Sequence, residues 1–173
     1  WMERMGYDVT YATDVDVHTN PALLRQYKGV LVGGHSEYWS KAMYDAALKA
    51  RDAGVNLAFF GADDVYWQIR FEPSSLNIPN RIVVCYRKAD LDPGPPELKT
   101  IGWRLLGRPE QTLLGVEYGL FNGSNHIVPY VVAESSNWVF KGTGFKAGSR
   151  VPGLTGNEVD YENPQYPLPP HTT

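Results

Sequence analysis

The stretch that decides the fold runs from residue 29 to residue 60 and reads GVLVGGHSEYWSKAMYDAALKARDAGVNLAFF. Its first six residues are apolar without alternation, which is typical of a strand buried on both faces. Ser40 is a good N-cap for a helix over 41–53, and Gly54 ends that helix. A second buried strand is predicted over 55–60. Strand, helix and strand joined by short loops indicate a right-handed βαβ unit with parallel strands.

Further elements are predicted on both sides of this unit. Upstream, Gly6 ends a short helix, and residues 7–12 are predicted to form a strand because they are β-branched and aromatic. Asn20 and Pro21 are typical of the first residues of a short helix. Downstream, residues 81–86 predict another strand.

The C-terminal half has a different pattern. It holds segments without the periodicity of a long helix: β-like aromatic runs over 127–133 and 137–140, and an extended proline-rich tail over 164–170. We predict a single α/β domain over residues 1–173 with an open, mainly parallel sheet flanked by helices, in a flavodoxin-like arrangement. Residues 1–90 would form the βαβ core, and residues 91–173 a β-rich, loop-rich appendage.

The composition argues against several classes of protein. Sixteen Lys and Arg against nineteen Asp and Glu give a net charge of -3, so there is no basic surface for nucleic acid. No apolar run approaches the roughly 18 residues of a membrane span. The single cysteine, Cys85, cannot form an internal disulfide and fits a reducing, cytoplasmic compartment. Because the chain opens on Trp1 within an apparent helix end, we expect it to be a fragment of a longer protein.

Candidate functional residues follow the two buried strands. The sequence HSEYWS begins at His35, and the sequence GADDVYW begins at Gly61. Ligands bind outside the carboxyl ends of parallel strands, which lie about 4.8 Å apart, so His35, Glu37 and Asp63 are expected to converge on one site. An imidazole and a carboxylate two residues apart suit a metal ligand with its supporting group, or an acid–base pair. The alternative is that Glu37 caps the following helix and His35 is an ordinary loop residue.

Three neighbouring positions have less specific predictions. One of Asp63 and Asp64 should cap a helix beginning at Val65, and Asp63 is the better candidate to face the site. Tyr38 is either an oxygen ligand or a hydrogen-bond donor. Cys85 lies inside a predicted strand rather than at a strained turn, so we expect a packed, buried residue. That position disfavours a cysteine-dependent glutaminase.

Two further acids and three histidines are expected to lie at the surface or in loops, and only Glu158 among them is a candidate for the site. Glu117 and Glu158 lie among glycines, which is typical of solvated loop acids, although Glu158 is the better candidate for the site. His18, His126 and His171 occur singly, and each is predicted to be a surface or loop residue.

Four motifs occur in an order that resembles the C-terminal domain of the N,N-dimethylformamidase large (β) subunit family. They are GYDV at 6–9, GGHSEYWS at 33–40, GADDVYW at 61–67 and GLTGNEVD at 153–160. The HSEYWS block is the most specific part, and the resemblance covers most of the chain. It implies a fold similar to that of class I glutamine amidotransferases, which agrees with the predicted βαβ unit.

The resemblance also implies a chemistry. The family's named enzyme hydrolyses N,N-dimethylformamide to dimethylamine and formate at a single iron held by two tyrosines and one glutamate. Glu37 matches that glutamate, and His35 matches a neighbouring active-site histidine. Asp63 stands where that enzyme has asparagine, and Glu158 matches a further active-site glutamate in a looser motif. The tyrosines are expected upstream of Trp1, so the chain alone should bind iron poorly and be inactive.

The sequence therefore leaves two functions open. The first is a metal-dependent amidohydrolase domain with a ferric ion, a small amide substrate, and a small subunit or a second copy of the chain as partner. The ion would polarise the amide carbonyl or activate water, while His35 or Glu158 handles protons. The alternative is a non-catalytic binding or scaffold domain with the same fold, which the departure at Asp63 mildly favours.

Overall fold

The computed structural model describes residues 1–121, 128–156 and 158–170. The chain divides into two compact units. The first consists of Trp1–Glu117 with the described part of Glu162–Thr173, and the second of Tyr118–Tyr161. Each unit is described by itself.

The first unit alternates short helices and short strands. In chain order its elements are α1 (Asp14–Thr19), β1 (Gly29–Gly33), β2 (Tyr38–Ser40), α2 (Lys41–Asp52), β3 (Asn56–Phe60), β4 (Trp67–Glu72), β5 (Ile82–Val84) and α3 (Gln111–Leu114). Short 3-10 helices lie at Glu3–Met5, Leu23–Gln26, Pro96–Leu98 and Trp103–Leu106. None of the helices in the described ranges is long and apolar enough to cross a membrane.

The predicted βαβ unit is present. β1 pairs with β3 in parallel, with Leu31 opposite Ala58, and α2 lies between them in the chain. The Ser40 hydroxyl accepts a hydrogen bond from the Met43 N–H at 3.3 Å, which confirms the predicted N-cap of α2. Gly54, just after α2, has a φ of +90°, as a glycine that closes a helix requires.

The two parallel strands are covered on one face only. Val30 and Leu57 pack against the core, whereas Leu31 and Phe60 are 52% and 70% exposed. The prediction of strands buried on both faces is therefore wrong for the described residues. An uninterrupted apolar run shows that a strand has apolar side chains on both faces, but it does not show that both faces are covered.

The predicted open, mainly parallel sheet flanked by helices is also wrong. The described strands form four small sheets, and the three-stranded one is mixed: β4 runs parallel to β2 and antiparallel to β5. The cause lies just after β3, where the chain turns at Gly61 and enters β4 instead of a second helix. Without that crossover helix, no further parallel strand is added beside β3.

The core of the first unit is built on α2. Tyr44, Ala46 and Ala50 of this helix are at most 1% exposed, and the Tyr44 ring lies 4.5 Å from the buried ring of Trp103. Trp39 packs in the same cluster, which agrees with its expected packing role. Val65, in the loop that follows β3, belongs to the same buried cluster, so the core reaches that loop.

Several local predictions differ from the structure. Gly6 does end a short helix with a φ of +82°, but residues 7–12 form no strand. Asn20 is the C-cap of α1, which begins with a capping box of Thr13 and Asp16, and is not the predicted N-cap. The short helix predicted from Pro21 is a 3-10 helix that starts two residues later, at Leu23–Gln26. α1 thus lies in a region, residues 13–19, for which the sequence analysis predicts no element.

The second unit consists of short strands and loops. β6 (Glu117–Phe121) pairs with β9 (Glu158–Tyr161), and β7 (Tyr130–Val131) runs antiparallel to β8 (Arg150–Val151). The predicted run over 127–133 is thus a two-residue strand within its described part. The run over 137–140 is a 3-10 helix, Trp138–Phe140, rather than a strand.

Candidate functional site

Two loops lie at the same edge of the first unit. Residues 34–37 follow β1 and residues 61–66 follow β3. Because β1 and β3 are parallel, both loops leave the sheet at its carboxyl end, where ligands bind in parallel sheets. We call residues 34–38 and 61–67 together the Glu37 edge.

Hydrogen bonds join the two loops directly. The N–H of Val65 donates to the Ser36 carbonyl at 2.8 Å, and the N–H of Trp67 donates to the Glu37 carbonyl at 2.9 Å. The N–H of Ser36 in turn donates to Oδ1 of the buried Asp64 at 2.6 Å. Asp64 thus caps the neighbouring loop, and the helix predicted to begin at Val65 does not form.

The second loop also has an unusual backbone. A Cβ atom on Gly61 would overlap the carbonyl oxygen of Gly34, so this close approach requires glycine. Asp63 and Val65 both have a φ of +57°, which is uncommon for any residue other than glycine and rare for a β-branched one. Such conformations persist where the surroundings fix them, and they cluster at functional sites.

Neutral donors surround the Glu37 carboxylate. The side chain is half-buried, and its Oε1 accepts a hydrogen bond from Nε1 of Trp67 at 2.8 Å. Burial, followed by the adjacent Glu37 carboxylate, raises the pKa of Tyr38 above its ordinary value. The causes of this shift include a hydrogen bond with Glu37, in which the Tyr38 hydroxyl is the donor and the carboxylate accepts.

His35 is exposed, and it touches the second loop. Its Nδ1 lies 2.7 Å from the carbonyl oxygen of Ala62. Because a carbonyl oxygen can only accept, Nδ1 carries the hydrogen, and in the neutral ring the lone pair is on Nε2. This tautomer suits metal ligation or proton transfer.

The other predicted site residues lie in two places. Asp63 is half-buried and directly follows Ala62, so it belongs to the same edge as His35. Glu158 is half-buried at the start of β9, in the second unit. The catalytic roles of these residues stay predictions. His126 and His171 lie outside the described residues.

Sequence analysis missed Arg87 as a neighbour of the Glu37 edge. Its Nη2 donates to the Tyr38 hydroxyl at 2.5 Å, and its guanidinium carbon lies 5.2 Å from the ring centroid of Trp67. The one available signal was a basic residue placed soon after a predicted strand end. Cys85 lies between β5 and Arg87 and is half-buried rather than buried. Burial raises the pKa of its thiol, which argues against a thiolate nucleophile.

Two residues that seemed isolated in the sequence have structural contacts. Glu117 is 1% exposed, with its Oε1 accepting from Nδ2 of Asn163 at 2.8 Å and its Oε2 lying 3.6 Å from Nε of Arg104. Its predicted role as a solvated loop acid is therefore wrong. His18 lies in α1 and contacts the Ser40 hydroxyl through Nδ1 at 2.8 Å, so it is not a loop residue.

Two shallow cavities lie beside the edge rather than in it. They measure about 440 and 410 Å³, and both are lined by Ile69 and Phe71 of β4. The second reaches Tyr38 but does not include Glu37 or His35. Within the described residues the Glu37 edge is thus an open surface beside a groove.

Comparison with known proteins identifies the family. A family model described as N,N-dimethylformamidase beta subunit-like, C-terminal, matches residues 1–173. The chain belongs to this family.

Two curated proteins are similar in sequence to part of this chain. The chain is 34% identical over 74 residues to the N,N-dimethylformamidase beta subunit of Alcaligenes sp, and 32% identical over 74 residues to that of Paracoccus aminophilus. Each match covers 42% of this chain and 10% of the length of the relative.

The described residues fit the family's implied iron site in part. Glu37 offers a hard carboxylate oxygen whose orientation is already fixed by Trp67, as the ligands of protein metal sites require. Among residues 1–121, 128–156 and 158–170, no group of three His, Cys, Asp or Glu side chains is arranged to hold a metal ion. The described residues therefore offer one oriented carboxylate oxygen, at Glu37, and no complete set of metal ligands.

Proposed function

We propose that this chain forms one wall of an amide-hydrolysing site of the N,N-dimethylformamidase kind, in which Glu37 is one oxygen ligand of an iron ion. The observation that carries the proposal is the way the Glu37 carboxylate is held: half-buried, with Trp67 Nε1 on one oxygen, on a loop joined to its neighbour by backbone hydrogen bonds. Membership of the family adds the amide as the class of substrate.

The chain's own residues would then act as follows. Trp67 and Tyr38 would orient Glu37 through hydrogen bonds to its carboxylate. A ferric ion held there would supply Lewis acidity toward the amide carbonyl. His35, whose Nδ1 hydrogen is directed to Ala62, would move a proton through Nε2. Asp63 would orient the substrate nitrogen.

The partner follows from the names of the relatives. Both curated relatives are named as a beta subunit. We propose that the protein containing this chain works with a second type of subunit or with a second copy of itself. The open Glu37 edge is consistent with a site that further residues complete.

The direct test is Glu37→Gln in the intact protein. Glutamine keeps an acceptor for Trp67 Nε1 but loses the anionic ligand, so we expect iron content and the tyrosinate-to-iron charge-transfer band to fall together, with loss of amide hydrolysis. Glu97→Gln is the matched control, because Glu97 is an exposed carboxylate outside the Glu37 edge, in the 3-10 helix Pro96–Leu98.

Two results would go against the proposal. Full iron content in Glu37→Gln would show that Glu37 is not a ligand. An intact wild-type protein that is colourless, free of iron and inactive on small amides would favour the non-catalytic scaffold domain instead.

A further inference from the structure

Arg87 presents a cation at the Glu37 edge. Its guanidinium carbon lies 5.2 Å from the centroid of the Trp67 ring, and the guanidinium donates to the Tyr38 hydroxyl. Both of these side chains contact Glu37, so Arg87 is separated from that carboxylate by a single side chain in each case. Arg87 is exposed, and it has no carboxylate partner among the described residues. A guanidinium has five N–H donors, and the contacts with Tyr38 and Cys85 use only part of them.

Other arginines of the first unit contrast with Arg87. Arg70 pairs with Asp92, Arg104 pairs with Glu110, and Arg108 pairs with Asp45. In each case the protein's own carboxylate satisfies the guanidinium. Arg87 is instead held by a hydroxyl and by aromatic rings, which leaves its charge to be balanced from solution.

The backbone of Arg87 is fixed, although an exposed arginine without a binding role does not require a fixed backbone. Its φ is +62°, in the left-handed region, and its N–H donates to the Thr100 carbonyl at 2.8 Å. Thr100 is fully buried and is itself bound through its N–H and hydroxyl to Oδ2 of Asp92, at 2.7 and 2.6 Å. A buried network therefore holds a strained residue whose side chain reaches the candidate site.

We propose that Arg87 binds a carboxylate of the substrate, which makes amides that carry a carboxylate close to the scissile C–N bond the preferred substrates of this chain. The inference rests on the proposed amide hydrolysis at Glu37. A carboxylate matches the planar guanidinium with two parallel hydrogen bonds. A singly charged group is favoured over a doubly charged phosphate, because Glu37 and Asp63 already place two acids at this edge.

The test compares a matched pair of substrates in the intact protein. N-formylglycine carries the carboxylate, and N-formylglycinamide is its neutral counterpart. We expect wild type to hydrolyse N-formylglycine with a kcat/KM about tenfold or more higher. In Arg87→Met, kcat/KM for N-formylglycine should fall roughly 10- to 100-fold, while that for N-formylglycinamide changes by less than about threefold. Arg87→Lys should retain part of the preference, because it keeps the charge without the planar donor pair.

The control is Arg81→Met, which removes an exposed arginine just before β5 and should leave both values unchanged. An equal loss for both substrates in Arg87→Met would overturn the inference, since it would mean that Arg87 only supports Tyr38. The same holds if wild type shows no preference between the two substrates.

A binding measurement separates this inference from the proposed function. If wild type hydrolyses neither amide, the proposed hydrolysis fails, but calorimetry with acetate and acetamide still tests Arg87. Acetate binding that is present in wild type and lost in Arg87→Met supports carboxylate recognition. Acetate binding that is absent, or equal in the two proteins, overturns it.

Discussion

Two carboxylates of the first unit, Asp92 and Glu37, differ in how their oxygens are used. Asp92 is 2% exposed and accepts hydrogen bonds from the N–H and hydroxyl of Thr100, from the N–H of Gly94 and from the Arg70 guanidinium. Glu37 is half-buried, and Trp67 and Tyr38 hold it through neutral donors.

The difference separates a structural acid from a candidate ligand. Every lone-pair direction of Asp92 is used inside the protein, so nothing remains for a ligand. Glu37 accepts from two side chains, Trp67 and Tyr38, so the carboxylate has further lone pairs that could bind a cation. The state of the donors matters as much as their number, because a neutral indole N–H fixes a carboxylate without neutralising its charge.

The largest expected effect follows from removing the structural acid. Asp92→Ala should lower the free energy of unfolding of the intact protein by about 3–5 kcal/mol, because it removes the buried counter-charge of Arg70, leaves only the more exposed Glu72 carboxylate, and strips the buried Thr100 N–H and hydroxyl of their acceptor. Urea denaturation measures this loss. Asp90→Ala, at an exposed position two residues away, should stay within about 0.5 kcal/mol of wild type. A change below about 1 kcal/mol in Asp92→Ala would contradict the structural role.

A smaller effect is expected where the two loops touch. Gly61→Ala places a methyl group against the Gly34 carbonyl, and relieving that overlap should cost about 1–3 kcal/mol. The displacement should also weaken the contact of His35 with Ala62, which NMR of the imidazole can report. Gly33→Ala is the matched control, because a Cβ at that position meets nothing within 4 Å. If both variants unfolded at the same urea concentration, the close approach would not be important for stability.

The predictable part of this architecture is local in sequence. The boundaries of α2 follow from the Ser40 cap and Gly54, and the parallel pairing of β1 with β3 follows from the short connections around that helix. The sequence alone therefore places their loops at one edge of the sheet. The approach of His35 to Ala62 follows from that placement.

The parts that sequence analysis missed depend on distant residues. Val65 adopts a left-handed backbone because Ser36, on the other loop, accepts its N–H, and a strand then replaces the expected helix. Glu117 is buried through Asn163, 46 residues away. No local sequence pattern predicts the backbone of Val65 or the burial of Glu117. The exposure of Leu31 likewise depends on which distant residues cover the sheet.

The pH dependence of stability tests the same comparison. Burial alone would raise the pKa of Asp92, but the hydrogen bonds from Thr100 and Gly94 and the Arg70 guanidinium outweigh it and hold that pKa well below its usual range. A depressed carboxyl pKa stabilises the folded state above the unfolded value of about 3.9, and this contribution is lost as the pH falls. We expect a loss of roughly 1.4 kcal/mol for each pH unit below about 3.9, which is absent in Asp92→Asn. Equal acid sensitivity in the two proteins would contradict the assignment.

The smallest expected effect is the stability change in Glu37→Gln. This measurement shows whether Glu37 is a structural acid like Asp92 or a carboxylate that is available to a ligand. The glutamine oxygen can still accept from Trp67 Nε1, and the position is half-buried, so the free energy of unfolding should fall by less than about 1 kcal/mol. Asp92→Asn should cost clearly more, because its amide would place an N–H₂ group against the Thr100 N–H or the Arg70 guanidinium. Parallel urea titrations of the metal-free intact proteins measure both. If Glu37→Gln were as destabilising as Asp92→Asn, Glu37 would be a second structural acid, and its conformation would give no support to a role in binding iron.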